Sequence, residues 1–176
     1  CSTWRGEKVL SLTINGVIVR DIDNPVGKMP TTFDGYQFVR KGELLMCLFD
    51  YDVTPRCVGI VKNDGVTSPA YSRYILKENA VLEYFYYYYL MIDFTKELLH
   101  LAKNLRHSFT EEQLGALNVP LPSIDEQKEI ATYLDTKCEG IESAIADKKR
   151  QLEILDSYKK SLIYEYVTGK KEVPNE

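Results

Sequence analysis

Residues 123 to 168 constrain this chain more than any other stretch. They read as one uninterrupted amphipathic helix of roughly forty-five residues, about 65 Å long at the usual rise per residue. Positions spaced alternately four and three apart are Leu134, Cys138, Ile141, Ile145, Lys148, Leu152, Leu155, Lys159, Leu162 and Tyr166. Only the two lysines interrupt an otherwise apolar stripe of the coiled-coil kind, and polar residues at such positions can set register or partner choice. The start is marked by Pro120 and Pro122, which disfavour helix before it. A capping box of Ser123 and Glu126 follows, with Asp125, Glu126 and Glu129 complementing the helix dipole. Gly169, followed by Lys170 and Lys171, marks the stop. Most helical stability comes from packing an amphipathic face, so the stripe demands a second helix. Its eight apolar positions are the candidate pairing residues.

What precedes the helix has a different period. Short apolar or alternating runs, Val9 to Leu12, Val17 to Arg20, Gln37 to Val39, Leu44 to Phe49, Val58 to Lys62 and Tyr74 to Leu76, read as strands. Between them lie the turn formers Asn15-Gly16, Asn24-Pro25, Asp34-Gly35, Lys41-Gly42 and Asn63-Asp64-Gly65. Two connections are longer than turns: Asp21 to Tyr36, and Asp50 to Cys57. From Asn79, which can cap it, a helix is expected through the aromatic block Tyr84 to Tyr89 and on through Phe94, Leu98, Leu99 and Leu101. Those tyrosines suit either a stacking platform for bases or a helix-to-sheet interface with hydroxyls at its edge. Asn104 to Phe109 reads as loop or short strand. Thr110 and Gln113 form a second capping box, for a short helix through Leu117. The expectation is an α+β chain: a β-rich globular domain over residues 1–122, a long coiled-coil spacer helix over 123–168 and a tail over 169–176.

Composition narrows the function. The chain is 44% hydrophobic and 27% charged, as folded domains are, with a net charge of −4. Residues 1–122 hold 13 Lys plus Arg against 14 Asp plus Glu, so nucleic-acid binding there must rest on local clustering. Tyr84 to Ile92 is about half the length of a bilayer span, and no signal-peptide pattern opens the chain, which points to a cytoplasmic protein without a membrane partner. The four cysteines, Cys1, Cys47, Cys57 and Cys138, lack metal spacing; Cys47 and Cys57 read as reduced, half-buried thiols on neighbouring strands. His100 and His107 have no third ligand within sequence reach. A first residue other than Met points to a fragment of something longer. No phosphate-binding Gly-rich loop, methyltransferase Asn-Pro-Pro-aromatic signature or nuclease carboxylate cluster is present, so no catalytic residue, metal or cofactor is expected.

Two stretches carry a family likeness. Leu117-Asn118-Val119-Pro120-Leu121-Pro122-Ser123-Ile124-Asp125-Glu126-Gln127-Lys128-Glu129-Ile130-Ala131, the helix stripe, and the ending Ser161-Leu162-Ile163-Tyr164-Glu165-Tyr166-Val167-Thr168-Gly169-Lys170 resemble the specificity subunit of type I restriction-modification systems. Lys41-Gly42-Glu43-Leu44-Leu45, Gly65-Val66-Thr67-Ser68-Pro69-Ala70-Tyr71 and the Tyr84 to Leu90 block are similar to looser landmarks of its target recognition domain. The resemblance implies a non-catalytic subunit whose domain reads half of a split target in double-stranded DNA. Its helix would space that domain from a second recognition unit, present as a tandem repeat or as a homodimer partner. Modification and restriction subunits would carry S-adenosylmethionine and ATP. Loop position then nominates Arg20, Lys28, Thr31, Thr32, Tyr51, Arg56, Tyr71 and Arg73 for base contacts, with Lys8, Lys62 and Lys77 as phosphate contacts. The rival expectation is a coiled-coil interaction module whose β-rich head binds a protein.

Overall fold

A computed structural model of the chain describes residues 4–25, 27, 30–102 and 107–174. It divides into two compact units, Cys1–Ala131 and Thr132–Glu176.

In the first unit, seven short strands among the described residues form two sheets. They are β1 (Val9–Thr13), β2 (Gly16–Val19), β3 (Gln37–Val39), β4 (Leu44–Met46), β5 (Val58–Ile60), β6 (Gly65–Thr67) and β7 (Ser72–Tyr74). The first sheet runs β2-β1-β6-β3, with β1 and β6 parallel and the other pairs antiparallel; the second runs β5-β4-β7, all antiparallel. Leu10, Val39, Leu45 and Val61 cluster around the meeting of the sheets. There Gly59 makes room for its neighbours: a Cβ on it would stand 2.8 Å from Leu12 Cδ1 and 2.9 Å from Val17 Cγ2.

Strand β6 was not expected, because Asn63-Asp64-Gly65 reads as a turn and hides the strand's first residue. Gly65 belongs to the strand for a steric reason: a Cβ there would lie 2.2 Å from the Lys8 carbonyl oxygen, so only glycine lets β6 close against the chain leading into β1. Thr67, fully buried, satisfies its hydroxyl by donating to the Leu10 carbonyl at 2.9 Å. The last strand covers Ser72–Tyr74 rather than Tyr74 to Leu76.

Helix α1 (Leu82–Thr95) packs Leu90 and Ile92 with Leu44, Met46 and Val58, and with Leu98, Phe109 and Leu114 from the segment that follows. Its tyrosines belong to this interface. Tyr86, Tyr87, Tyr88 and Tyr89 pack partly buried against the cluster, while Tyr84 and Tyr88 donate their hydroxyl hydrogens to the carbonyls of Pro120 (3.1 Å) and Asn118 (3.4 Å). Asn79 is not the cap. The N-terminal residue Val81 instead donates its N–H to Gln127 Oε1 at 2.8 Å, and Gln127 Nε2 donates to the carbonyls of Asn79 and Pro122. A side chain 46 residues downstream thus does what a local cap would do. The helix also stops before Leu98: Lys96 turns left-handed at φ 51, and a short 3₁₀ turn, Glu97–Leu101, follows. The second capping box forms as expected, Gln113 N–H to Thr110 Oγ1 and Thr110 N–H to Gln113 Oε1, opening α2 (Glu111–Gly115).

Helix α3 (Ile124–Val167) is the expected long helix, 44 residues or about 66 Å. Glu126 N–H donates to Ser123 Oγ at its start. Gly169, at φ +70, ends it with an N–H to the Tyr166 carbonyl. Its first two turns belong to the first unit, where Gln127 and Ala131 are buried. From Thr132 onward it makes up most of the second unit.

Candidate nucleic-acid interface

The Asp50–Cys57 connection is long, yet four contacts immobilise it. Tyr51 turns inward, with its hydroxyl donating to the Ile92 carbonyl at 3.0 Å. Cys57 N–H donates to Asp93 Oδ2 at 2.8 Å, and Lys96 Nζ bridges Asp93 Oδ1 (2.7 Å) and the Thr54 carbonyl (2.8 Å). His107 Nδ1 lies 2.8 Å from Asp52 Oδ2. Burial, with the Asp93 carboxylate adding to it, pushes the Tyr51 phenol and the Cys57 thiol well above their usual ranges, so both stay protonated. Tyr51 is therefore a core residue with its polar atom in use. What the loop leaves outside is Asp52, Val53, Pro55 and half of Arg56. Arg56 Nη1 lies 3.5 Å from where a Cβ of Gly16 would stand, which sets the guanidinium beside the β1–β2 turn and the exposed Ile14. A loop pinned in this way can offer side chains with little ordering cost on binding.

A second group forms around Arg20, at the end of β2, where its N–H donates to the Val9 carbonyl at 2.8 Å. Burial raises the phenol pKa values of Tyr36 and Tyr71, and the Arg20 charge acts against that rise at both. Tyr71 stacks on Phe49 with ring centroids 6.4 Å apart, and Tyr36 meets Phe33 edge-on at 5.1 Å. Gln37 Nε2 holds the approach to this group by donating to the carbonyls of Ser68 (3.0 Å) and Tyr71 (2.6 Å). The structure thus brings Arg20 and Tyr71 together with Tyr36, a residue that loop position alone did not nominate.

The remaining nominees are scattered. Thr31 and Thr32 are exposed, but Thr32 donates its hydroxyl to Asp34 Oδ2 at 2.7 Å and serves the turn that Trp4 Nε1 also grips through Asp34. Lys28 lies outside the described residues. Arg73 sits on the outer strand β7, with Nη1 donating to the Phe38 carbonyl and 4.0 Å from Glu43 Oε1. Among the lysines, Lys8 and Lys62 line an open cleft of about 590 Å³ together with Lys41, Glu7, Asn63 and Asp64. Two bonds set its walls: Lys8 Nζ to Asn63 Oδ1 at 3.0 Å and the Lys41 N–H to Asp64 Oδ1 at 2.7 Å. Lys41 was the residue missed there; its signal is the Lys-Gly that turns β3 into β4. Lys77 lines a separate, mainly apolar cavity of about 320 Å³ between β4, β7, α1 and α2.

In the second unit the residues of the helix stripe are mostly exposed. Ile141, Ile145, Leu152, Leu155 and Tyr166 are exposed, while Leu134, Cys138 and Leu162 are half-buried. Lys148, within the stripe, donates to Gln151 Oε1 at 3.3 Å. Among the described residues, no helix is long and apolar enough to cross a membrane, and no three His, Cys, Asp or Glu side chains cluster at metal-binding distance.

Comparison with known proteins adds three findings. A family model described as the type I restriction modification DNA specificity domain matches residues 56–159, more than half of the chain. A chain in the solved structure described as "Structural basis underlying complex assembly and conformational transition of the type I R-M system" is similar in fold, with a TM-score of 0.61 at 16% identity over 73% of this chain. This chain spans 31% of that one's length. No curated protein sequence matches. The chain therefore belongs to the type I restriction modification DNA specificity domain family.

Proposed function

We propose that the chain is a DNA-recognition element of a type I restriction-modification complex, reading one half of a split target and performing no chemistry itself. The observation that carries this is the family match, which runs from Arg56 through β5, β6, β7, α1 and α2 to Lys159 of α3 and so takes in the later part of the β-rich head together with most of its helix. The geometry supports it. Arg56 beside the β1–β2 turn and Arg20 beside Tyr36 and Tyr71 supply guanidinium and hydroxyl donors for base edges, and the Lys8, Lys41, Lys62 cleft supplies ammonium groups for phosphates. In this reading α3 is a spacer: its unpartnered stripe pairs with the corresponding helix of a second recognition unit, in tandem or in a second copy, and so fixes how far apart two half-sites are read. Partner subunits for modification and restriction bring S-adenosylmethionine and ATP.

Selection from random duplexes tests this, with the full-length specificity subunit bound to its methyltransferase partner. A bipartite motif is expected, with affinity falling by roughly 0.9 log units per tenfold rise in salt for each phosphate contacted. No preference among duplexes at low salt would defeat the proposal. Capture of a protein ligand with little salt dependence would favour the interaction-module alternative.

A further inference from the structure

Strand β3 is one outer strand of the first sheet and β7 one outer strand of the second, and one arginine links them. Arg73, in the middle of β7 opposite Leu45, donates through Nη1 to the carbonyl of Phe38 in the middle of β3. The same Nη1 stands 4.0 Å from Oε1 of Glu43, and no other atom of the guanidinium is engaged among the described residues. The two partners differ sharply in exposure: the Arg73 side chain is 44% exposed, whereas Glu43 is 5% exposed and its Oε2 has no hydrogen-bond partner.

A carboxylate withdrawn from water with an oxygen unused is costly, and a fold retains one where its charge has a task. A plain structural ion pair would take the arginine fork through both oxygens. Here the carboxylate is buried and stands at the limit of contact with a single guanidinium nitrogen. Glu43 and the Phe38 carbonyl both lie at Nη1, which leaves Nε and Nη2, a planar pair of donors, unengaged among the described residues on a side chain that is 44% exposed. That pair matches the N7 and O6 acceptors that guanine presents in the major groove. Lysine, a point charge on a flexible stem, cannot reproduce it.

We propose that Arg73 is a specificity-determining residue that reads a guanine, and that Glu43 is the positioning residue that aims it. The proposal rests on the DNA-recognition reading above. Its competitor is a staple, in which the pair only ties two sheet edges together.

The test is base-resolved selection from random duplexes by the full-length subunit with its methyltransferase partner, comparing wild type with Arg73→Ala, Arg73→Lys and Glu43→Gln, each checked by thermal melting. Arg73→Ala and Arg73→Lys should each lose preference for guanine at one position, on the order of tenfold to a hundredfold, while the other positions keep theirs. Glu43→Gln should weaken preference at that same position by a smaller factor. If Arg73→Ala fails to fold, Arg73→Lys, which keeps the charge and the stem, decides alone. An unchanged motif, or a uniform loss of affinity at every position, overturns Arg73 as a reader. A lower melting temperature in Glu43→Gln with an unchanged guanine preference overturns its positioning role. A wild-type subunit that selects no motif at all would instead strike the DNA-recognition reading.

Discussion

Asp93 and Leu155 stand for the two regions of this molecule. Asp93, in the first unit, is 2% exposed, and both of its oxygens are in use, one by the Cys57 N–H and one by Lys96 Nζ. Leu155, in the second unit, is 60% exposed, on a helix whose apolar stripe is mostly exposed. In the first unit, side chains far apart in sequence satisfy each other, and the loops they hold become rigid. In the second, regular backbone is presented without the packing that stabilises a long helix. On the proposed reading, the head's order is a matter of folding and the arm's order a matter of association, and each should fail to a different insult.

The largest effect is expected where the two regions part most clearly. Leu155→Asp would place a carboxylate in the stripe. On an exposed lone helix that is nearly neutral, but between two paired helices it buries an unpaired charge and should cost about 3–5 kcal/mol of association. Light scattering of the full subunit or half-subunit should show loss of pairing while the melting of the head is unchanged. Unchanged mass would remove the stripe from the account. Asp93→Ala is the reciprocal insult: it strands the Cys57 N–H and leaves Lys96 facing Tyr51 and the Thr54 carbonyl without its counter-charge, which should cost about 3 kcal/mol of head stability. Chemical unfolding should register that loss, with association of the arm retained wherever the head remains folded.

The contrast also governs how much could be seen in the sequence. The arm was legible almost to the residue, since an apolar stripe at alternate spacings of four and three, a serine cap and a terminal glycine are local signals. Most strands were legible from alternation and turn formers. What escaped were features made by distant partners. Strand β6 begins with a glycine that reads as turn, and only the nearness of the Lys8 carbonyl explains why glycine stands there. The start of α1 is capped by Gln127, and its end is set by Lys96 reaching Asp93 and Thr54. Of the nominated readers, Tyr51 has a loop position and a tyrosine's chemistry, yet it faces the core because the Ile92 carbonyl takes its hydroxyl hydrogen. Loop membership reports where a backbone lies and not which way a ring turns.

Gln127 sharpens the comparison, because it sits on α3 but works for the head. Gln127→Ala removes three hydrogen bonds and leaves the Val81 N–H and the Asn79 and Pro122 carbonyls to find other partners, at a cost of about 1–3 kcal/mol. The loss should appear in the melting of the head and not in association. If it weakened association as strongly as Leu155→Asp, the division of roles along α3 would be drawn in the wrong place.

The smallest effect is one of rate, and it reads both regions in one sample. Cys47 and Cys57 are buried free thiols flanking the paired strands β4 and β5, joined by the Cys47 N–H to the Cys57 carbonyl at 2.8 Å, and burial raises the pKa of both. Few molecules carry either as a thiolate at pH 8, and reagent cannot reach them without opening the head. Cys138 lies half-buried in the helix stripe. With alkylation mapped residue by residue in mass spectra, Cys138 should react first in dilute protein and slow as concentration drives pairing. Cys47 and Cys57 should follow the head's unfolding rate at every concentration. Cys57 reacting as fast as Cys138 would show that the head opens readily despite its internal bonds. A Cys138 rate indifferent to concentration would show that no second copy covers the stripe.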